Sequence, residues 1–401
     1  MGFFEGGKTS SIGGHKFTTR FVAQKSCLFK FFFAYYLHSD KTKIVHLYSL
    51  TKNEKNDKMV VVLFLILIMH PFEVLSANEW SDCHSSEYIN IHEGLPHNFI
   101  DDIVRDSRGF IWVSTAGGGL ARYDGYEFVE FNKYTPVHRL KSNFVHDADE
   151  DSFGRLWVGG KDGIDLVDIY SLAPVELDKS NAIVEKIANK ETYKVYCTGG
   201  EVWVSNNTGF FRVRLNGRSG DVVGLDTIFA PKGESKHVNS FLPKSDYGAP
   251  LFGYDNVVFK LTPSSDPSMP YRADTLLALP HGHAISAICQ YEDRLWIGTC
   301  RGLFSHDAAT GKLHRYRTSP RQGTLSQDFI TDIIVHHEMA NEPSLVVSTL
   351  MGFNIYRPKT DDFERVTSDT PSLVGRPLLG CNFINCLMSD DNTLWVGTEA
   401  G

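Results

Sequence analysis

The chain has 401 residues, of which 34 are glycine and 12% aromatic, and it carries a net charge of −8 at pH 7. That acidic balance argues against a nucleic-acid partner, which would need a basic face. The length suffices for a large core, and the glycine and aromatic content suits short strands joined by tight turns.

Residues 1–58 are unlike the rest. The run Lys30-Phe31-Phe32-Phe33-Ala34-Tyr35-Tyr36-Leu37 is apolar and aromatic without a clean period. We expect this leader to be disordered or to lie upstream of the true gene start. Residues 59–77 read as a signal peptide. The apolar run Val60–Met69 is too short for a bilayer of about 30 Å but has the length of a signal core. Lys52, Lys55 and Lys58 precede it, and Leu75-Ser76-Ala77 offers a cleavage site. The reading places the remainder in the periplasm after export.

From residue 86 onward the sequence repeats. Tyr88-Ile89-Asn90-Ile91 has strand character but no partner in its own repeat. Asn98 to Val104 is apolar and β-branched, with partial alternation. Asp106-Ser107-Arg108-Gly109 is a turn, in which Asp caps and Gly closes a tight hairpin. Ile111-Trp112-Val113-Ser114-Thr115 is the second strand. A glycine-rich turn ending at Gly119 leads to a third strand, Leu120 to Tyr123, and Tyr126 to Phe131 is a fourth.

The tryptophan phrase recurs at Trp157, Trp203, Trp296 and Trp395, and its turn glycine at Gly163, Gly209, Gly302 and, closing the last copy, Gly401. Leu345-Val346-Val347-Ser348-Thr349 with Gly352 is a copy without tryptophan, and Leu251-Phe252-Gly253-Tyr254 is a weaker one. Seven copies at intervals of 44 to 50 residues define a repeat architecture. Four short antiparallel strands per copy make a β-propeller blade. The expected fold is therefore all-β, a seven-bladed propeller over residues 86–401. Its blades fall at about 97–133, 143–178, 183–217, 238–262, 283–318, 328–366 and 382–401. The last lacks a third strand, and residues 87–91 are expected to close it as its outermost strand, since a propeller with open edges would be exposed to pairing. The stop on a turn glycine reads as a fragment or an interrupted gene product. The repeated tryptophans and glycines are read as scaffold.

The unit Asn-x-Val/Ile-x-x-Ile-x-x-Asp-x-x-Gly-x-Ile/Leu-Trp-Val-Gly/Ser-Thr-x-x-Gly-Leu-x-x-Tyr resembles the two-component regulator propeller repeat. Glu93-Gly94-Leu95-Pro96-His97-Asn98 and Arg122-Tyr123-Asp124-Gly125-Tyr126-Glu127-Phe128 are similar to segments of the same family. The resemblance covers about residues 86–401. It implies the extracytoplasmic sensor of a hybrid two-component histidine kinase, dimeric and membrane-bound through segments outside this sequence, with no catalysis in the propeller itself. A protein-interaction scaffold and the sensor of a diguanylate cyclase are the alternatives, and a propeller glycosidase or lyase is the weakest reading.

Ligands of propellers commonly sit over the starts of the inner strands. The connections entering them carry His97, Asn98, His138, Arg139, Lys141, Asn143, Arg321, Gln322 and Arg376, residues suited to the hydroxyls and acidic groups of a small molecule or oligosaccharide. Asp101-Asp102 is a carboxylate pair whose neighbours in a strand point to opposite faces, so it is no catalytic dyad. His281, His283, His336 and His337 lack a third ligand, and no metal or cofactor is expected. Nucleotide and nucleophile motifs are missing. Six cysteines lie beyond the leader, at 83, 197, 289, 300, 381 and 386. Cys83 is open to a bond with the last blade, whereas Cys381 and Cys386 are expected to flank one strand and face apart.

Overall fold

In a computed structural model the described residues are 84–401, apart from 178–183, 231–236, 267–268, 339–341 and 372–376. The leader and the signal peptide expected from sequence, with Cys83 and Arg376, lie outside the described residues.

Six four-stranded antiparallel sheets follow one another along the chain. Blade 1 comprises Ile100–Arg105, Ile111–Thr115, Gly119–Tyr123 and Phe128–Phe131. The inner strands of blades 2 to 6 are Val145–Glu150, Thr192–Thr198, Ser240–Leu242, Ile285–Tyr291 and Ile330–His336. A seventh unit has two strands, Ile384–Asp390 and Thr393–Thr398. The outer strands of blades 3 and 4, Val222–Phe229 and Tyr271–Ala278, lie beyond the boundaries expected at 217 and 262.

The expectation of seven blades, the last incomplete and closed by the N-terminal strand, is corrected to six four-stranded blades and a two-stranded seventh copy. The closing strand expected at 87–91 does not form. A strand needs a neighbour's backbone groups, and among the described residues no strand pairs with the outer edge of Thr393–Thr398 to receive it. It turns instead into a 3-10 helix, Ile91–Glu93. Asn90 caps that helix by accepting from His92 N at 2.8 Å, and Glu93 returns the favour by accepting from Asn90 N at 2.9 Å.

The tryptophan phrase is legible atom by atom. Asp106 Oδ1 accepts from Arg108 N at 3.0 Å and Phe110 N at 2.9 Å, and its Oδ2 accepts from the indole of Trp112 at 2.8 Å. Asp151 does the same for Trp157, at 2.8 Å. The threonine that ends the phrase donates its hydroxyl to the turn glycine's carbonyl, Thr115 to Gly119, Thr299 to Gly302 and Thr349 to Gly352. Each tryptophan fills the seam toward the next blade. Trp157 packs with Val195, Val202 and Val204 of blade 3, and Trp296 with Leu345, Tyr356 and Phe363 of blade 6. In blade 4, Gly253 faces Ile285 as Gly298 faces Ile330. That register puts Leu251 in the tryptophan's seat, packed on Val258 and Leu295, while Phe252 turns back to Trp203 and Phe210.

Candidate functional site

Neighbouring blades meet at their inner strands, and side chains join every seam there. Asp102 accepts from Ala148 N at 3.3 Å, Asp147 from Val195 N at 2.7 Å and Asp332 from Leu387 N at 3.0 Å. Elsewhere the side chain donates to a carbonyl. Asn239 reaches Ile285 O at 3.2 Å, Ser286 reaches Ile330 O at 2.7 Å, and Asn385 reaches Ile100 O at 2.9 Å. Tyr196 joins blades 3 and 4 by donating to Asn239 O at 3.2 Å. These groups satisfy backbone atoms that the inner edge of each sheet leaves open.

The carboxyls among them have an electrostatic consequence. Burial pushes Asp102, Asp147 and Asp332 above the usual carboxylate range, with Lys194 opposing the rise in each. Lys194 Nζ lies 2.5 Å from Asp147 and 4.0 Å from Asp102. Burial alone would lower its pKa, but Asp147 and Asp102 hold it well above the ordinary value. Its side chain keeps 31% exposure.

Nearer the strand starts, neighbouring blades meet through side chains alone. His146 Nδ1 lies 3.3 Å from Asp101 Oδ2, and its Nε2 lies 3.7 Å from Glu191 Oε1. The His146 ring stacks on Tyr193 at 5.7 Å, and Tyr193 stacks on His237 at 3.7 Å with 12° between planes. The Tyr193 hydroxyl donates to Glu191 at 3.0 Å. Burial, then this bond, pushes the phenol up to about 12. Burial, with His146 adding to it, lowers His237 to about 4, so it is neutral at pH 7. Nε2 of His146 and Nδ1 of His237 are buried without a hydrogen-bond partner among the described residues. Around the same mouth Phe144, Phe329 and Phe383 occupy equivalent positions before their inner strands, at 46%, 42% and 46% exposure. A mouth with exposed aromatic faces and two carboxylates suits a flat or ring-shaped ligand that carries hydroxyls.

The residues expected from sequence are mostly occupied by loop structure. Asn98 Oδ1 accepts from Ile91 N at 3.0 Å, and Asn143 Oδ1 from Lys133 N at 2.8 Å. His97 Nδ1 accepts from Phe99 N at 3.0 Å. His138 stacks on Phe131 at 4.6 Å, and Lys141 Nζ donates to Ala188 O at 2.7 Å. Arg139, Arg321 and Gln322 are exposed, and the Arg321 carbonyl accepts from Arg365. The mouth residues Asp101, His146, Tyr193, Glu191 and His237 were missed, because no repeat motif marks them. Their one signal is the break in the apolar pattern at the start of blades 1 to 3.

Alternation also fails at Asp101-Asp102. A bulge shifts the register between Ile100 and Asp102, and both carboxyls reach the next blade. His283 is buried in a turn, with Nδ1 on Pro280 O at 2.9 Å, and His336 Nδ1 lies 2.9 Å from Ser389 Oγ. Among the described residues no three potential ligands converge to hold a metal ion. Cysteines 197, 289, 300, 381 and 386 are free thiols, and Cys381 lies before the strand it was expected to flank. A separate concavity of about 540 Å³ lies at the strand turns of blades 1 to 3, where Ser107 and Glu150 already bond each other.

Comparisons with known proteins agree with this architecture. Residues 94–117 match the two-component regulator propeller repeat. The chain therefore carries a repeat of the type found in two-component regulators. A search of curated proteins returns no relative.

Among solved structures, the extracellular domain of BT4673 from B. thetaiotaomicron, described in one structure as a one component and in another as a hybrid two component system, is 16% identical. It aligns with a TM-score of 0.61 over 79% of this chain and 39% of that one. The extracellular domain of the hybrid two component system BT3049 from the same organism is 18% identical, with a TM-score of 0.59 over 79% and 40%. PorZ, a surface component of the type-IX secretion system of Porphyromonas gingivalis, is 16% identical, with a TM-score of 0.55 over 79% and 47%. The chain spans about two-fifths of the length of the first two. Identities at this level speak for the shared propeller fold alone. No helix among the described residues is long and apolar enough to cross a membrane.

Proposed function

We propose that this propeller is the ligand-binding sensor region of a membrane-bound two-component signalling protein, exported to the periplasm, and that its ligand is a glycan. The repeat match and the extracellular neighbours support the sensor role. The stacked His146, Tyr193 and His237 rings at the channel mouth carry the ligand reading, since sugar rings pack on aromatic faces and offer hydroxyls to carboxylates. The propeller performs no chemistry in this reading. Ligand binding would bias a dimer between two arrangements, and a histidine kinase module of the whole protein would read the difference. A diguanylate cyclase is the alternative output.

Thermal unfolding with a panel of oligosaccharides tests the proposal, because a ligand that binds only the native state raises its stability. One glycan is expected to raise the Tm, by an amount that grows with concentration, and Tyr193→Ala is expected to abolish the shift without lowering the unliganded Tm by more than a few degrees. A second reading rests on the exposed Phe144, Phe329 and Phe383, which suit a protein-binding face. No response to any glycan, with a partner protein whose binding is lost on substituting these phenylalanines, favours that reading.

A further inference from the structure

We infer that the seventh unit receives one β-strand from another polypeptide, an extended segment that enters between Thr393–Thr398 and residues 86–89 and opens with a large apolar residue. The outer wall of that groove stands where a fourth strand would. A Cβ on Gly401 would press on the Ile89 carbonyl and Asn90, as one on Gly119 would press on the Phe131 carbonyl and Asn132. Ile91 N donates to Asn98 Oδ1 at 3.0 Å, as Lys133 N donates to Asn143 Oδ1 at 2.8 Å. Leu95 N donates to Asn90 O at 3.2 Å, as Leu140 N donates to Asn132 O at 3.1 Å. Residues 89–95 thus repeat the corner that ends the fourth strand of blade 1. Thr398 likewise donates to the Gly401 carbonyl at 2.7 Å, as Thr115 does to Gly119.

In blade 1, Gly119–Tyr123 lies between the second and fourth strands. One strand fits there, at about 4.8 Å from each neighbour. Among the described residues no strand takes this place in the seventh unit, and every other strand already belongs to a sheet. Leu394, Trp395 and Val396 are half-buried, whereas Leu295, Trp296 and Ile297 are fully buried. Residues 86–89 make no main-chain hydrogen bond among the described residues. Side chains hold them instead, Ser86 donating to Pro377 O at 3.0 Å and Tyr88 to the same carbonyl. The complete blades define the chemistry of the incoming strand. Leu120, Ile164, Phe210, Leu303 and Phe353 each follow a turn glycine and are buried. Leu120 packs with Trp112, Leu140 and Val145, and the matching residues here are Trp395, Leu95 and Ile100. Main-chain bonds on both sides supply affinity, and this apolar seat supplies selectivity.

Fluorescence anisotropy tests the inference, with the whole chain titrated into an end-capped, labelled peptide copying residues 302–307, Gly-Leu-Phe-Ser-His-Asp. A shuffled peptide and the copy carrying Leu303→Asp are the comparisons. The copy is expected to bind at least about tenfold tighter than either. It should also slow hydrogen exchange of amides in Thr393–Thr398 and leave the second strands of blades 1 to 6 unchanged. Tyr88→Ala, which loosens the outer wall, is expected to weaken binding of the copy about fivefold with little change in Tm. Equal affinity for the shuffled peptide, binding without slower exchange in Thr393–Thr398, or no binding at millimolar peptide overturns the inference. So does a dimer that protects Thr393–Thr398 without peptide, since a second copy would then be the occupant.

Discussion

Asp106 serves three donors at once, two in its own turn and the Trp112 indole. Removing the carboxyl leaves a buried indole N–H with no acceptor, which costs more than the loss of an exposed bond. Asp106→Ala is expected to destabilise the propeller by about 2–3 kcal/mol in urea unfolding. The sequence shows where this bond is missing. The residue six before the tryptophan is aspartate for Trp112 and Trp157 but Cys197, Gln290 and Ser389 for the others. The indoles of Trp203, Trp296 and Trp395 accordingly have no partner among the described residues.

Asp149 gives a pH effect on the same scale. Burial raises its carboxyl to about 7, although Cys197 N and Glu150 N donate to it. A raised folded pKa means that the native state binds more protons than the unfolded chain between about pH 4 and 7. The contribution of Asp149 is therefore full below pH 4 and is lost as pH rises through 7. Asp149→Asn should flatten that part of the stability curve and gain about 1–2 kcal/mol at pH 8, read from denaturant midpoints across pH.

At the scale of a blade, the phrase Thr-x-x-Gly defines how the second strand hands over to the third. Gly352 has φ +84°, and a Cβ there would press into the Val366 carbonyl. Gly352→Ala is expected to cost about 2 kcal/mol, through both the left-handed backbone and the clash, measured by thermal or urea unfolding. Blades were legible in the sequence because this hairpin recurs with fixed chemistry. Their outer strands were less so. Val222–Phe229 and Tyr271–Ala278 have half-exposed faces and no fixed partner motif, so nothing in their pattern pins their position relative to the tryptophan. Blade 4 shows a similar loss, since Leu251 fills an aromatic's seat and only the neighbouring glycine reveals the register.

For the whole molecule, the period foretold the propeller but not the failure of residues 87–91 to complete a seventh blade. The segment 87–91 has strand-like residues, yet backbone pairing depends on a neighbour and not on composition. Among the described residues no strand pairs with the outer edge of Thr393–Thr398. Hydrogen exchange is expected to be faster for amides in Thr393–Thr398 than in the matching second strands of blades 1 to 6. Equal protection would show that the edge is covered. The candidate site was barely legible for a related reason. It is assembled from equivalent positions whose residues change between copies, Asp101, His146 and Tyr193, and a repeat search discards what does not recur. The expected loop residues instead hold the connections between blades.

The seams have a bearing on how such a chain can change over time. At every seam along the channel, one stitch runs from a side chain of one blade to the main chain of the next. A main-chain acceptor or donor exists whatever residue bears it. A unit can therefore drift in sequence, or be copied and inserted beside a stranger, without a matching change in its neighbour. Wide divergence among propellers of this shape, including the loss of tryptophan from two copies here, is what a joint addressed to the backbone permits.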